Sequence, residues 1–249
     1  MEYTSALRAT DNEFPNLIFD EAILTKAALV VLGCAALYFL VFSLYKRKRR
    51  PWASTYFVLL CFSVLVWAGL SFAALLTGSQ ETARNLNDLS LVGILPLPGL
   101  LCLHVKEQVS RKKERPAITA AFFLITFFFI FLVLRSLFFP QLWNALPEQR
   151  FAENYYYRLG FYAYAIVALI RAYFLCFNAR HQTPTRPRRS TRFMLIGISS
   201  IAVLFFAYAL LAGSVFGAIE ETRLYEALIP LGAPVAFFFL LFSFYNARE

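Results

Sequence analysis

The chain has 249 residues, of which 59% are apolar, 18% aromatic and only 16% charged. So little charge excludes a water-soluble domain and points to lipid as the solvent. The formal net charge of +9 would suit a nucleic-acid partner, but Lys and Arg gather in alternate loops, which is the pattern of membrane topology instead.

A crossing of the hydrocarbon core takes about 20 mostly apolar residues. Stretches of this kind are predicted at 22–45, 54–77, 89–105, 117–139, 155–177, 193–218 and 224–245, leaving no material for a separate soluble domain. The expected fold is all-α: a polytopic membrane protein of seven transmembrane helices forming one domain over residues 1–249. Ahead of the first span the chain is acidic (Glu2, Asp11, Glu13, Asp20, Glu21) and lacks a signal-peptide start and cleavage site, so that span is expected to be retained. The cluster Phe14, Pro15, Leu17, Ile18 and Phe19 suits the interface, and Lys26 is placed to snorkel to headgroups.

The first span ends in YFLVFSLY against five consecutive cations, Lys46 to Arg50. Trp52 then suits an interfacial anchor, whereas Trp67 lies deep in the second span, where its ring N–H needs a partner. The third span is short and interrupted by Pro96, Leu97, Pro98 and Gly99, which predicts a kink. The last span carries the same interruption at Pro230, Leu231, Gly232, Ala233 and Pro234. Backbone carbonyls freed at membrane depth are tolerated only inside protein or facing water, so both breaks are expected to face the bundle interior.

A second basic group (Lys106, Arg111, Lys112, Lys113, Arg115) follows the third span, and a third (Arg180, Arg186, Arg188, Arg189, Arg192) follows the fifth. The positive-inside rule then puts the N-terminus outside and the C-terminus in the cytosol, with the basic loops also touching anionic headgroups. The fourth span is apolar all round, as for a lipid-exposed helix, with Arg135 near its outer end.

Residues 141–158 form the longest exterior loop, holding Trp143, Glu153, Asn154, Tyr155, Tyr156, Tyr157 and Arg158. Two readings fit it: an interfacial aromatic belt or the mouth of a small-molecule site. Arg171 lies inside the fifth span. An ionisable residue at that depth calls for a partner. With no Asp or Glu in any apolar core, the expected partners are hydroxyls, freed carbonyls or a ligand anion, unless the side chain snorkels to the inner headgroups.

Tyr38 to Ser43 (YFLVFS) returns 135 positions later as Tyr173 to Asn178 (YFLCFN). Leu75, Leu76, Gly78 and Ser79 match Leu210, Leu211, Gly213 and Ser214 at the same shift, and the proline breaks agree within one residue. The expected layout is a 3+1+3 parallel repeat: repeat A over 22–105, a linker helix over 117–139 and repeat B over 155–245. Candidate ligand residues at the seam and mouth are Trp67, Pro96, Pro98, Trp143, Glu153, Tyr157, Arg158, Arg171, Pro230 and Pro234.

Catalytic and cofactor chemistry finds little footing. Cys34, Cys61, Cys102 and Cys176 sit in apolar stretches, where thiols behave as small hydrophobes. His104 and His181 are placed at or beyond the inner boundary, which does not suit paired haem ligation. Metal hydrolysis wants more ligands than the spans offer, the last span has no Lys for a retinal Schiff base, and the Gly-Ser pairs have no His at matching depth. No catalytic residue, metal or cofactor is expected.

The chain resembles the seven-helix N-terminal sensor region of bacterial histidine kinases and related signalling proteins. The likeness rests on the first helix running into a basic loop, on Trp67, Ala68 and Gly69, on Leu95 to Leu101 with its prolines, and on the basic loop running into Phe193 to Gly197. It implies a non-enzymatic sensory or signal-relay module of the bacterial inner membrane, taking a small or lipophilic ligand between the half-bundles. In that family the seventh helix leads to a cytosolic effector. This chain stops four residues past the membrane, so the effector is expected either later in the native gene or as a partner. Membrane lipids are the other expected partners, and oligomers fit the plan. The 3+1+3 plan is also similar to the SWEET sugar transporters, whose proline signature is missing from 22–45 and 155–177. A structural subunit of a membrane complex is the third reading.

Overall fold

A computed structural model describes residues 21–46, 51–110, 114–138, 155–182, 187–212 and 239. They form α1 (Glu21–Lys46), α2 (Pro51–Leu76), α3 (Gln80–Ile94), α4 (Leu97–Ser110), α5 (Pro116–Phe138), α6 (Tyr155–Gln182) and α7 (Pro187–Ala212). There is no strand among the described residues. Helices α2, α5 and α7 each begin on a proline directly after a basic segment, where the missing N–H costs no helical bond and the fixed φ favours the first turn.

Among the described residues, five stretches are long and apolar enough to cross a membrane: Thr25–Tyr45, Thr55–Leu76, Gln80–Val109, Pro116–Phe138 and Tyr156–Ala179. Helix α2 packs between α1 and the α3–α4 pair, α4 packs on α6, and α6 packs on α7. Helix α5 lies more closely against α3 than against α4. The α3–α4 pair is therefore the central pillar, with 61% of its apolar window buried against 28–39% for the other four stretches. The outer helices turn apolar side chains away from the bundle, among them Val30, Val31 and Val41 of α1 and Phe127, Phe128 and Phe131 of α5. Such a surface suits hydrocarbon and not water.

The pillar starts earlier than the predicted 89–105 span. Ser79 caps α3 by accepting a hydrogen bond from the Thr82 N–H, and α3 then carries a polar stretch, Gln80 to Asp88, that a hydropathy reading takes for loop. The proline interruption is a full break, with Leu95 and Pro96 between two helices. The Leu95 N–H still bonds the Leu91 carbonyl at 2.9 Å, and α4 opens with the Leu100 N–H on the Pro96 carbonyl at 3.0 Å. Pro96 and Pro98 have no N–H to give, so the carbonyls four residues back, on Val92 and Ile94, receive no helical bond from them. This break lies in the bundle interior.

Just before it, Gly93 sets α3 against the backbone of α2. A Cβ on Gly93 would sit 2.5 Å from the Ser63 carbonyl oxygen and 2.6 Å from the Trp67 nitrogen. Small residues permit this kind of helix approach in membranes.

The repeated phrase has matching local geometry: Tyr38 stacks on Phe42 and Tyr173 on Phe177, at ring distances of 6.3 and 6.4 Å. The surroundings differ, since Phe39 is 6% exposed and its counterpart Phe174 57%. The predicted span 224–245 lies outside the described residues except for Phe239, whose ring stacks on Phe193 at 6.4 Å.

Candidate functional site at the two ends of the fourth helix

At the break, Gly99 lets α4 and α6 meet. A Cβ there would overlap the Tyr164 hydroxyl and touch Phe122 at 3.4 Å. The Tyr164 hydroxyl also lies 3.0 Å from Thr126 Oγ1, an inter-helix hydrogen bond among buried residues of α5 and α6. Phe122, Phe129 and Phe161 surround that hydroxyl pair, with Phe129 and Phe161 edge to face at 6.0 Å. Two polar groups that satisfy each other inside an aromatic shell fix the helix register without leaving an orphan in the apolar interior. Next to this cluster, and sharing Gly99, Phe122 and Thr126 with it, is an apolar groove of about 150 Å³ floored by Pro96, Gly99, Leu100 and Leu103 and walled by α2 and α5.

The basic-loop end of α4 is unlike the rest of the interior. His104, Glu107 and Gln108 share one helix face by their spacing, and all three are buried. The His104 ring lies 5.2 Å from Phe57 of α2. Tyr56 of α2 stands beside Glu107, Glu114 and Thr119. Cys102 of α4 stands beside Arg171 of α6 and Glu114. At the centre is an ion pair in which Arg171 Nη2 donates to Glu114 Oε2, with the glutamate side chain 4% exposed and the arginine 34%.

Local structure explains why a carboxylate from a basic loop is inside. Arg115 ends the loop by offering its carbonyl to the N–H groups of Ile118 and Thr119, and Pro116 opens α5. Glu114 stands just before the first turn, where the Arg115 N–H bonds its Oε1 at 3.0 Å and the positive end of the helix dipole favours its charge.

This corrects one sequence expectation. Arg171 has an acidic partner, Glu114, in place of a hydroxyl, a freed carbonyl, a ligand anion or the headgroups. His104 is enclosed in the bundle. Among the described residues no group of His, Cys, Asp and Glu is arranged to hold a metal ion.

The other candidate residues fall in three places. Trp67 is buried with its backbone against Gly93, and Pro96 lines the groove beside Ser63 of the same α2 segment, so those two flank one junction. Pro98 is half-buried in the first turn of α4. Tyr157 and Arg158 are half-buried in the first turn of α6, with Arg158 beside Tyr162. Thirteen residues of helix, about 20 Å at 1.5 Å per residue, separate Arg158 from Arg171. Trp143, Glu153, Pro230 and Pro234 lie outside the described residues. Sequence reasoning missed Glu114, Gly93, Thr126 and Tyr164. Of these only Glu114 left a signal, a lone acid inside a basic run next to a helix-starting proline.

A bundle of apolar helices around a broken pillar defines a multi-pass membrane protein. The chain belongs to the family described as the N-terminal 7TM region of histidine kinase, whose model matches residues 27–248. It is a membrane sensory module of that family. No curated protein matches it.

Proposed function

We propose that the module takes up a small or lipophilic ligand within the bilayer and passes the change to a cytosolic kinase or other effector through α4. The observation that carries this reading is the interruption of the central, most buried pillar at Pro96. Helix α3 is held to α2 through Gly93, so the break supplies a joint about which α4 changes inclination. One end of α4 borders the groove, and the other carries Cys102 and Glu107 among the Glu114–Arg171 pair and Tyr56. A ligand acts only if it binds two inclinations with different affinity.

Orientation follows from the cations. Lys46, Lys106, Arg115 and Arg192 belong to three consecutive basic segments, which favours that end in the cytosol and a bacterial inner membrane as the setting. The test is autophosphorylation of the cognate histidine kinase in proteoliposomes. Replacing Pro96 by alanine, which gives Val92 back its helical donor, is expected to shift basal output severalfold while the thermal midpoint stays near that of the parent. Unchanged output in a folded Pro96→Ala protein overturns the reading.

A further inference from the structure

The groove at the break opens sideways. Its rim residues Leu59 and Phe127 are 37% and 62% exposed, and Phe62, Leu124 and Phe131 beside them face outward as well. Because α5 lies closer to α3 than to α4, the gap between α5 and α4 is the looser one, and the groove occupies it. Whatever fills this space arrives through hydrocarbon.

Apolar fit alone gives such an occupant no preference, since lipid tails are as apolar as the Leu, Phe and Ile that line the groove. Selection has to come from a polar end, and the groove has one. Arg115 is exposed and precedes Phe122 by seven residues, so it stands about two turns, roughly 10 Å, toward the basic-loop end on nearly the same side of α5. Lys106 follows Leu103 of the groove floor by one turn of α4. Cations next to a membrane boundary attract anionic headgroups within a Debye length.

We propose that the groove between α2, α4 and α5 is a binding site for one acyl chain of an anionic phospholipid, with Arg115 and Lys106 holding its phosphate. The chain then lies on Pro96 and Gly99, against the joint itself, so headgroup charge in the surrounding bilayer is read as the inclination of α4. This deepens the sensory reading above and rests on it for the output, though not for the binding.

The test uses the full chain with Trp52→Phe and Trp143→Phe, leaving Trp67 as the one tryptophan, excited selectively over the tyrosines. Trp67 is buried and one turn beyond Ser63 of the groove wall. Phosphatidylcholine vesicles are doped at equal mole fraction with either dibrominated phosphatidylglycerol or dibrominated phosphatidylcholine. Quenching of Trp67 by the anionic lipid is expected to exceed that by the zwitterionic one by about threefold or more. Arg115→Gln is expected to remove most of that preference, and Ser63→Leu to reduce quenching by both lipids with helix content retained. Equal quenching by the two lipids, a preference that survives Arg115→Gln, or full quenching in a folded Ser63→Leu protein overturns the site. Because quenching is read without the kinase, a lipid preference accompanied by unchanged output in Pro96→Ala refutes the sensory reading and leaves the site standing.

Discussion

Replacing Arg171 by methionine removes the cation from a carboxylate whose side chain is 4% exposed. Among the described residues, Glu114 then keeps the Arg115 N–H at 3.0 Å on its other oxygen. Breaking a fully buried pair costs about 3–5 kcal/mol, but the arginine here is 34% exposed, so water screens part of the attraction, and about 2 kcal/mol is the better expectation. Glu114→Gln removes the charge that is left stranded. In that background the same Arg171→Met change is expected to cost about 0.5 kcal/mol, the worth of a modest neutral contact. The cycle of four proteins, unfolded thermally or by titrated denaturing detergent from mild micelles, should therefore give a coupling of about 1.5 kcal/mol. If the two single changes add to within about 0.5 kcal/mol, the usual limit for independent sites, the ion pair does not tie the start of α5 to α6 and the account of Glu114 is wrong.

Other substitutions test the helix contacts. Gly93→Ala drives a methyl into the α2 backbone at Ser63 and Trp67, atoms that cannot rotate aside, and should lower stability by about 1–3 kcal/mol in the same unfolding assay. Tyr164→Phe should cost about 1 kcal/mol through loss of the Thr126 hydrogen bond. Gly99→Ala should be costly in the parent but close to neutral in Tyr164→Phe, because the overlapping atom is the hydroxyl; an unrelieved penalty would place the conflict elsewhere. Pro96→Ala should slow amide exchange from residue 92 to residue 100, and unchanged exchange there would mean that the break does not depend on the proline.

Helices α1, α2 and α5 were legible because hydropathy alone sets them. The predicted 22–45, 54–77 and 117–139 match α1, α2 and α5 to within three residues at each end. The pillar was harder. Its break followed from Pro96 and Pro98, but its start did not, because Arg84, Asn85, Asn87 and Asp88 give α3 a polar face that lowers its mean hydropathy while the helix persists under the Ser79 cap. The fifth span was read to residue 177, and α6 continues to Gln182, its last turns being polar enough to pass for loop. The ion pair was half legible: Arg171 demanded a partner, but depth was judged from the linear order of apolar residues, and Glu114, directly before the first turn of α5, is buried despite its basic neighbours. Tyr164 and Thr126 have no sequence mark, since an aromatic and a threonine in an apolar span are ordinary. Their pairing depends on how α5 lies across α6, a tertiary outcome that helical periodicity does not encode.

The pillar also has a length. The stretch Gln80–Val109 is 30 residues, about 45 Å of helix at 1.5 Å per residue, beside a hydrocarbon layer of about 30 Å. The stretch most enclosed by its neighbours is thus also the longest of the five among the described residues, and its beginning from Gln80 to Asn85 is hydrophilic and largely exposed. Whatever grips Glu81 or Arg84 therefore holds the outer end of α3, one segment of a jointed pillar whose other segment, α4, ends near the Glu114–Arg171 pair.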